Sequence, residues 1–139
     1  MQSHKIADYM NPRPVIFTAR MSIETAVEKL LSSGQRGGPV VDDNNRVIGF
    51  ISEHDCLEAM LRDTYHKEQS ATVGDCMYGG DVLTVASYEN ITDLAQRMDR
   101  KRPKIYPVLD ENRKLIGIIT RTDVLKAINL QLHDSYSKN

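Results

Sequence analysis

Apolar and polar positions follow two rhythms along this chain, and both recur twice in the same order. Residues 15–18 are a short apolar extended piece. From Ser22 the period lengthens: Ile23, Ala26, Val27, Leu30 and Leu31 fall at i, i+3, i+4, i+7 and i+8, the stripe of a helix with one buried face. Ser22 stands where an N-cap side chain accepts from an unpaired amide, and Gly34 where a left-handed residue closes the last turn. Two short apolar runs follow, 39–41 and 47–51, joined by "DDNNR". Asp and Asn suit such a turn because their side chains bond nearby backbone. A second helix is predicted from Glu53, with apolar positions Cys56, Leu57, Met60 and Leu61.

The same series then repeats. Residues 82–85 are the extended piece. Asn90 caps a helix striped by Ile91, Leu94, Ala95 and Met98 and ended by Pro103. The runs 106–109 and 115–119 flank "DENRK", and a last helix starts near Arg121 with Val124, Leu125, Ile128 and Leu132 apolar. Residues 23–60 lie over 91–128 at an offset of 68, with identities that include Pro39/Pro107, Gly49/Gly117 and Asp55/Asp123. The openings "KIADYM" (5–10) and "TVGDCM" (72–77) match at an offset of 67, which places one extra residue between Val82 and Ile91. The pattern predicts two β-α-β-β-α copies, residues 1–68 and 69–139, in an α/β (α+β) fold. Either copy alone buries little surface. Packed about a pseudo-twofold axis, the two would support each other and leave two matching clefts.

Composition narrows the function classes. Of 139 residues, 18 are basic and 19 acidic, a net charge of −1, so the total does not call for a nucleic-acid partner. With 40% hydrophobic and 27% charged residues the chain reads as globular. No apolar run approaches the ~18 residues of a membrane span. Two cysteines, Cys56 and Cys76, in no close pairing argue against a disulfide framework and lead us to expect a reducing cytoplasm. HExxH, zinc spacings, Walker A, GxSxG and GxGxxG are absent, so neither a metal site nor catalysis is expected. "EHDC" (53–56) sets four ligand types in a row, but neighbours on a helix point to different faces.

The order "PVVD…VIGFIS..D" and "PVLD…LIGIIT..D", each after an amphipathic helix and each copy opened by D-x-M, resembles the CBS domain. The tandem looks like a CBS pair, or Bateman module, over residues 5–132, and with little chain outside it a stand-alone pair is expected. The resemblance implies a non-catalytic regulatory module, commonly a homodimer, that binds an adenosine-containing ligand such as AMP, ADP, ATP or S-adenosylmethionine and acts on an unidentified regulated protein. Carried over residue by residue, it implies that Ser52 with Asp55, and Thr120 with Asp123, hold ribose and phosphate. It also implies that Val15, Ile16, Thr18, Gly37, Gly38 and Pro39 of copy one hold the adenine, as do Val82, Leu83, Thr84, Ile105, Tyr106 and Pro107 of copy two. Arg121 is a candidate phosphate contact.

The residues themselves leave two readings of "SEHD" and "TRTD" open. [ST]-x-x-[DE] before an apolar run is a capping box, in which hydroxyl and carboxylate each bond a backbone amide of the other. The same carboxylate is acceptor-only and suits the cis hydroxyls of a ribose, while a helix start offers amides to a phosphate. The fragment alone favours the cap; its doubling favours a ligand. Gly37-Gly38 would admit close backbone approach or serve as a flexible loop. Tyr106 would stack on a base or fill its pocket. Arg100, Lys101, Arg102 and Lys104 would attract an anion or simply solvate a helix end. The alternative function is a structural interaction module with no small-molecule ligand.

Overall fold

The computed structural model describes residues 3–66 and 71–137. Its fold is mixed α+β. In order, a 3-10 turn (Ile6–Asp8) precedes α1 (Ile23–Ser33), β1 (Gly37–Val41), β2 (Val47–Ser52), α2 (Glu53–His66) and α3 (Val73–Cys76). Then follow β3 (Val85–Ala86), α4 (Ile91–Arg97), β4 (Ile105–Leu109), β5 (Leu115–Thr120) and α5 (Arg121–Ser137).

The two ladders are built alike. β1 pairs antiparallel with β2, from Gly37↔Ser52 to Val41↔Val47, with an irregularity at Val40/Val41. β4 pairs with β5 from Ile105↔Thr120 to Leu109↔Leu115, irregular at Val108/Leu109. Both turns are clamped by their first Asp: Asp42 Oδ1 accepts from the amides of Asn44 and Arg46 (2.9 and 3.0 Å), and Asp110 Oδ1 from those of Asn112 and Lys114 (2.8 and 2.9 Å). The residue two positions before each second strand is left-handed, Asn45 at φ 61° and Arg113 at φ 63°.

The extended pieces are shorter than the apolar runs suggest. Phe17 makes a single parallel bridge to Val40, and Val85 pairs with Val108. These bridges put the two copies at an offset of 68 by Val85, whereas Asn11 and Tyr78, bridged to Ile118 and Phe50, still stand at 67. The extra residue therefore lies between Tyr78 and Val85.

The chain folds as two compact units cut differently from the sequence copies 1–68 and 69–139. One is residues 14–82; the other joins residues 1–13 to 83–139. Each opening packs on the other copy. Asn11 exchanges backbone hydrogen bonds with Ile118 (2.8 and 3.0 Å), and Ile6 donates to the Glu89 carbonyl. Tyr78 exchanges with Phe50, and Val73 donates to the Met21 carbonyl. Gly49 and Gly117 make room for this: a Cβ on Gly49 would lie 2.8 Å from the Tyr78 carbonyl oxygen, and one on Gly117 2.7 Å from that of Asn11.

Each unit has its own core. Residues 14–82 bury Phe17, Ile23, Ala26, Leu30, Val40 and Ile51; the other unit buries Ile6, Ile91, Leu94, Tyr106, Val108 and Ile119. Ser22 caps α1 by accepting from the Thr25 amide, and Gly34, at φ 72°, closes it, as the sequence predicts. Leu31, assigned to the buried stripe, is 72% exposed instead, because Ala26 and Leu30 fill the contact with the sheet. Leu57, Met60 and Leu61 of α2 and Leu125 and Leu132 of α5 are likewise exposed; the buried positions are Cys56, Ala59, Val124 and Ala127. Helix α4 stops at Arg97, well before Pro103. Met98 leaves helical geometry and Asp99 Oδ1 draws the amides of Lys101 and Arg102 into a turn (2.9 and 3.1 Å).

Candidate functional site

The ladder register places Ser52 and Thr120 last in their strands, one residue before the helices that carry Asp55 and Asp123. In both units the capping box is formed. Asp55 Oδ2 accepts from the Ser52 amide (2.9 Å), and Ser52 Oγ accepts from the Asp55 amide (3.2 Å). Asp123 Oδ2 accepts from the Thr120 amide (2.9 Å), and Thr120 Oγ1 from the Asp123 amide (3.1 Å). The Ser52 hydroxyl also donates to Asp55 Oδ2 (2.9 Å). The helices' first amides are taken as well, Glu53 by the Arg36 carbonyl and Arg121 by that of Lys104 (both 2.9 Å).

Every one of these bonds to Asp falls on Oδ2. Among the described residues nothing donates to Oδ1 of Asp55 or Asp123, and all four side chains are half-buried. The junctions thus satisfy the cap and still hold an unused carboxylate oxygen. The same box occurs a third time, at Thr72 and Asp75 on the four-residue α3, where Asp75 is exposed. The Thr72 amide, then its hydroxyl, hold the Asp75 carboxyl below its ordinary 3.8. The box alone is therefore a folding device; what sets the two junctions apart is their place at the end of a ladder.

The other predicted positions fall into two different surroundings. In the first unit Gly37, Gly38 and Pro39 are buried in β1. A Cβ on Gly38 would lie 2.6 Å from the Val15 carbonyl oxygen and 2.8 Å from the Phe17 ring; one on Gly37 would meet Phe50 at 2.9 Å. The close approach permitted by these glycines is made by the chain's own rings. Val15 and Ile16 are half-buried and Thr18 exposed; the Val15 amide donates to Gln35 Oε1 (3.3 Å).

In the second unit Pro107 is buried, Ile105 is half-buried and Arg121 is exposed; Val82, the last residue of the first unit, is half-buried. Tyr106 packs into the core beside Val85, Leu94 and Val124 and is 4% exposed. Leu83, Thr84 and Tyr106 come together on a cavity of about 320 Å³. Its other walls are Gln96, Arg97, Asp99 and Arg102. Of these the basic cluster had pointed to Arg102 only. Arg97 is turned to Glu89 (3.3 Å). Burial pushes the Tyr106 phenol up, against the pull of Arg102 and Arg97.

Cys56 is buried, and burial followed by the nearby Asp55 charge pushes its thiol up, so it is held as an unreactive thiol. Cys76 Sγ receives Arg62 Nη2 at 3.5 Å. His54 pairs with Glu58 (3.0 Å). Among the described residues no three metal-ligating side chains gather, and no helix is long and apolar enough to cross a membrane.

With this geometry in view, comparisons with known proteins converge. The family model of the CBS domain matches twice, at residues 6–62 and 73–130. CBSX2 of Arabidopsis thaliana, solved in complex with AMP, is 32% identical with a TM-score of 0.79, over 94% of this chain and 99% of that one. The CBS domain pair of protein MJ0100, solved with 5′-methylthioadenosine and S-adenosyl-L-methionine, shares the fold at 22% identity and a TM-score of 0.75, over 89% and 98%. Among curated relatives, the uncharacterized protein MJ1225 of Methanocaldococcus jannaschii is 31% identical over 88% of this chain. A homoserine O-acetyltransferase of Methanococcoides burtonii is 30% identical, also over 88%. The chain spans 42% of the first relative's length and 24% of the second's.

Proposed function

Because the chain belongs to the CBS domain family and carries the domain as a tandem pair, we propose that it is a non-catalytic regulatory module for an adenosine-containing ligand. AMP, ADP, ATP and S-adenosylmethionine are the candidates. The observation that carries this reading is the doubled junction, Ser52/Asp55 and Thr120/Asp123, with one carboxylate oxygen committed to the cap and the other unused. An ionised carboxylate oxygen takes two donors, and a ribose diol supplies them. The 32% identity to CBSX2, a protein solved in complex with AMP, supports the class.

We assign one base to Val15, Ile16, Thr18 and residues 37–39, and the other to residues 82–84 and 105–107, with Arg121 toward a phosphate. Binding would act by differential affinity for two conformations. We also assign the exposed apolar positions Leu57, Met60 and Leu61 of α2 and Leu125 and Leu132 of α5 to a second copy of this chain. Sedimentation of Leu125→Glu against wild type tests that assignment, with dissociation of a wild-type dimer expected.

The complete caps favour a second reading, a scaffold with no ligand. A thermal-shift series separates the two. At 100-fold its Kd a ligand stabilises by ~2.7 kcal/mol, a rise in Tm of about 3–6 °C at this size. The shift should vanish in Asp55→Ala or Asp123→Ala. If no adenosine compound at millimolar concentration moves Tm, the scaffold reading stands.

A further inference from the structure

Cys56 and Cys76 stand about twenty residues apart in the sequence and pack in one core, that of residues 14–82. Cys56 is a buried member of it, on α2; Cys76, the last residue of α3, is half-buried and packs against it. Cys56, Ala59 and Arg62 follow one another at three-residue spacing along α2, each the neighbour of the next. Arg62 Nη2 donates to Cys76 Sγ at 3.5 Å, which lays Cys76 along that row. The other unit repeats the arrangement with different residues. The openings' offset of 67 sets Cys76 over Tyr9, and the helices' offset of 68 sets Cys56 over Val124. Val124 is buried in its core and Tyr9 packs against it. The fold thus brings these two positions into one core in both units, and only residues 14–82 put sulfur at both.

The two thiols are placed for different tasks. Cys56 is 3% exposed; burial first, then the charges of Asp55 and Cys76, push its thiol up, so it stays protonated and away from solvent. The two sulfurs therefore lie within range of each other's charge. Cys76 is partly open to solvent and has a guanidinium at its sulfur. A cation in that position favours the thiolate, the form that attacks an oxidant. Asp75, the adjoining carboxylate, is turned into the Thr72 cap, its Oδ2 accepting from the Thr72 amide (3.1 Å).

We propose that Cys76 and Cys56 form a reversible disulfide within the chain when a hydroperoxide reaches Cys76, with Arg62 activating Cys76 and Cys56 as the resolving thiol. The Cys76 thiolate attacks one peroxide oxygen, the O–O bond breaks, and the departing oxygen takes a proton from solvent and leaves as water or an alcohol. Cys76 is then a sulfenic acid. The Cys56 sulfur attacks the Cys76 sulfur, the S–S bond forms, the S–O bond breaks, and hydroxide leaves as water with the Cys56 proton. The sulfur pair loses two electrons and the peroxide gains them. The bond fastens α2, whose first turn carries Asp55, to α3, which ends two residues before Tyr78 and its pairing with Phe50. Only the Ser52–Asp55 junction has such a fastening, since Tyr9 and Val124 offer no thiol beside Thr120–Asp123.

The test is intact mass and thiol alkylation on the full chain, purified under reductant and then exposed to hydrogen peroxide without denaturant. Wild type should lose two hydrogens with no covalent dimer and resist N-ethylmaleimide at both cysteines. Digestion should yield a Cys56–Cys76 linked peptide that dithiothreitol releases. Cys56→Ala should instead hold Cys76 as a sulfenic acid that dimedone captures, and Cys76→Ser should leave Cys56 reduced. Arg62→Gln should slow formation of the bond about threefold or more, as thiolate is lost. Arg62 is exposed, so Arg62→Gln and the wild type decide the matter even if Cys56→Ala perturbs folding. No nucleotide is present, so this result and the adenosine reading fail separately. Two alkylated cysteines after peroxide, a disulfide between chains, an oxidised Cys76 beside an alkylated Cys56 in the wild type, or oxidation as fast in Arg62→Gln as in wild type overturns the proposal.

Discussion

Gly38 and Tyr106 occupy equivalent rungs of equivalent ladders, opposite Ile51 and Ile119. They differ by an entire aromatic side chain, and the backbone register is the same. Compensation comes from the neighbouring extended piece: Phe17, bridged to Val40, leans on Gly38, while Val85, paired with Val108, leaves room for Tyr106. One buried ring per core is kept, but its point of attachment moves from one strand to the next. The exchange has a chemical consequence. A phenylalanine completes the first core with nothing polar, whereas the tyrosine brings a hydroxyl to a cavity edged by Arg97 and Arg102.

The largest effect should come from removing the first ring. Phe17→Ala is expected to cost ~3–5 kcal/mol in urea denaturation; a cost near zero would show that the ring is not the filler of that core. Next is Gly38→Ala, where the new Cβ collides with backbone rather than a flexible side-chain end, for about 1–3 kcal/mol. Gly79→Ala, whose nearest neighbour would be Met77 Cε at 3.9 Å, serves as the neutral control. The junctions should be alike in spite of the unlike cores: Ser52→Ala and Thr120→Ala are each expected to lose ~1 kcal/mol of cap energy, and a large inequality would break the equivalence. Smaller still, Arg113→Asn should stabilise by roughly 0.5–1 kcal/mol, since Asn tolerates the left-handed conformation that Asn45 already adopts in the other turn. The smallest concerns Asp75. Its folded carboxyl titrates below 3.8, so its contribution is present above that value and fades as pH falls through the lower, folded one; Asp75→Asn should flatten the acid limb of a melting profile.

Periodicity and turn chemistry carried most of the local structure into the sequence. Ser22, Gly34 and Asn90 cap where the stripes begin and end, and "DDNNR" and "DENRK" make matching turns. The exchange of openings was hidden, because an alignment attaches "KIADYM" to the copy that follows it, whereas hydrogen bonds attach it to Ser87 and Glu89 ahead of α4, and the next residue, Asn11, to strand β5. Exposure of Leu31, Leu57 and Leu125 was hidden as well: a stripe says which residues are apolar, not how wide a surface the core has left to cover. Of the candidate sites, the Ser52/Asp55 and Thr120/Asp123 pairs were evident because a short motif places both partners within one helical turn. Tyr106, Leu83 and Thr84 were named without their neighbours Gln96, which α4 carries, and Asp99, whose position depends on α4 ending early at Met98.

The crossed openings also impose a schedule on synthesis. Asn11 is made about a hundred residues before its bridge partner Ile118. At ~5–20 residues per second that is a wait on the order of ten seconds. Residues 14–82 are complete before then and can close on themselves, while the segment that carries Asn11 still lacks its partner. In a crowded translating polysome, that waiting segment is the part of the chain with the best opportunity to pair with the wrong molecule.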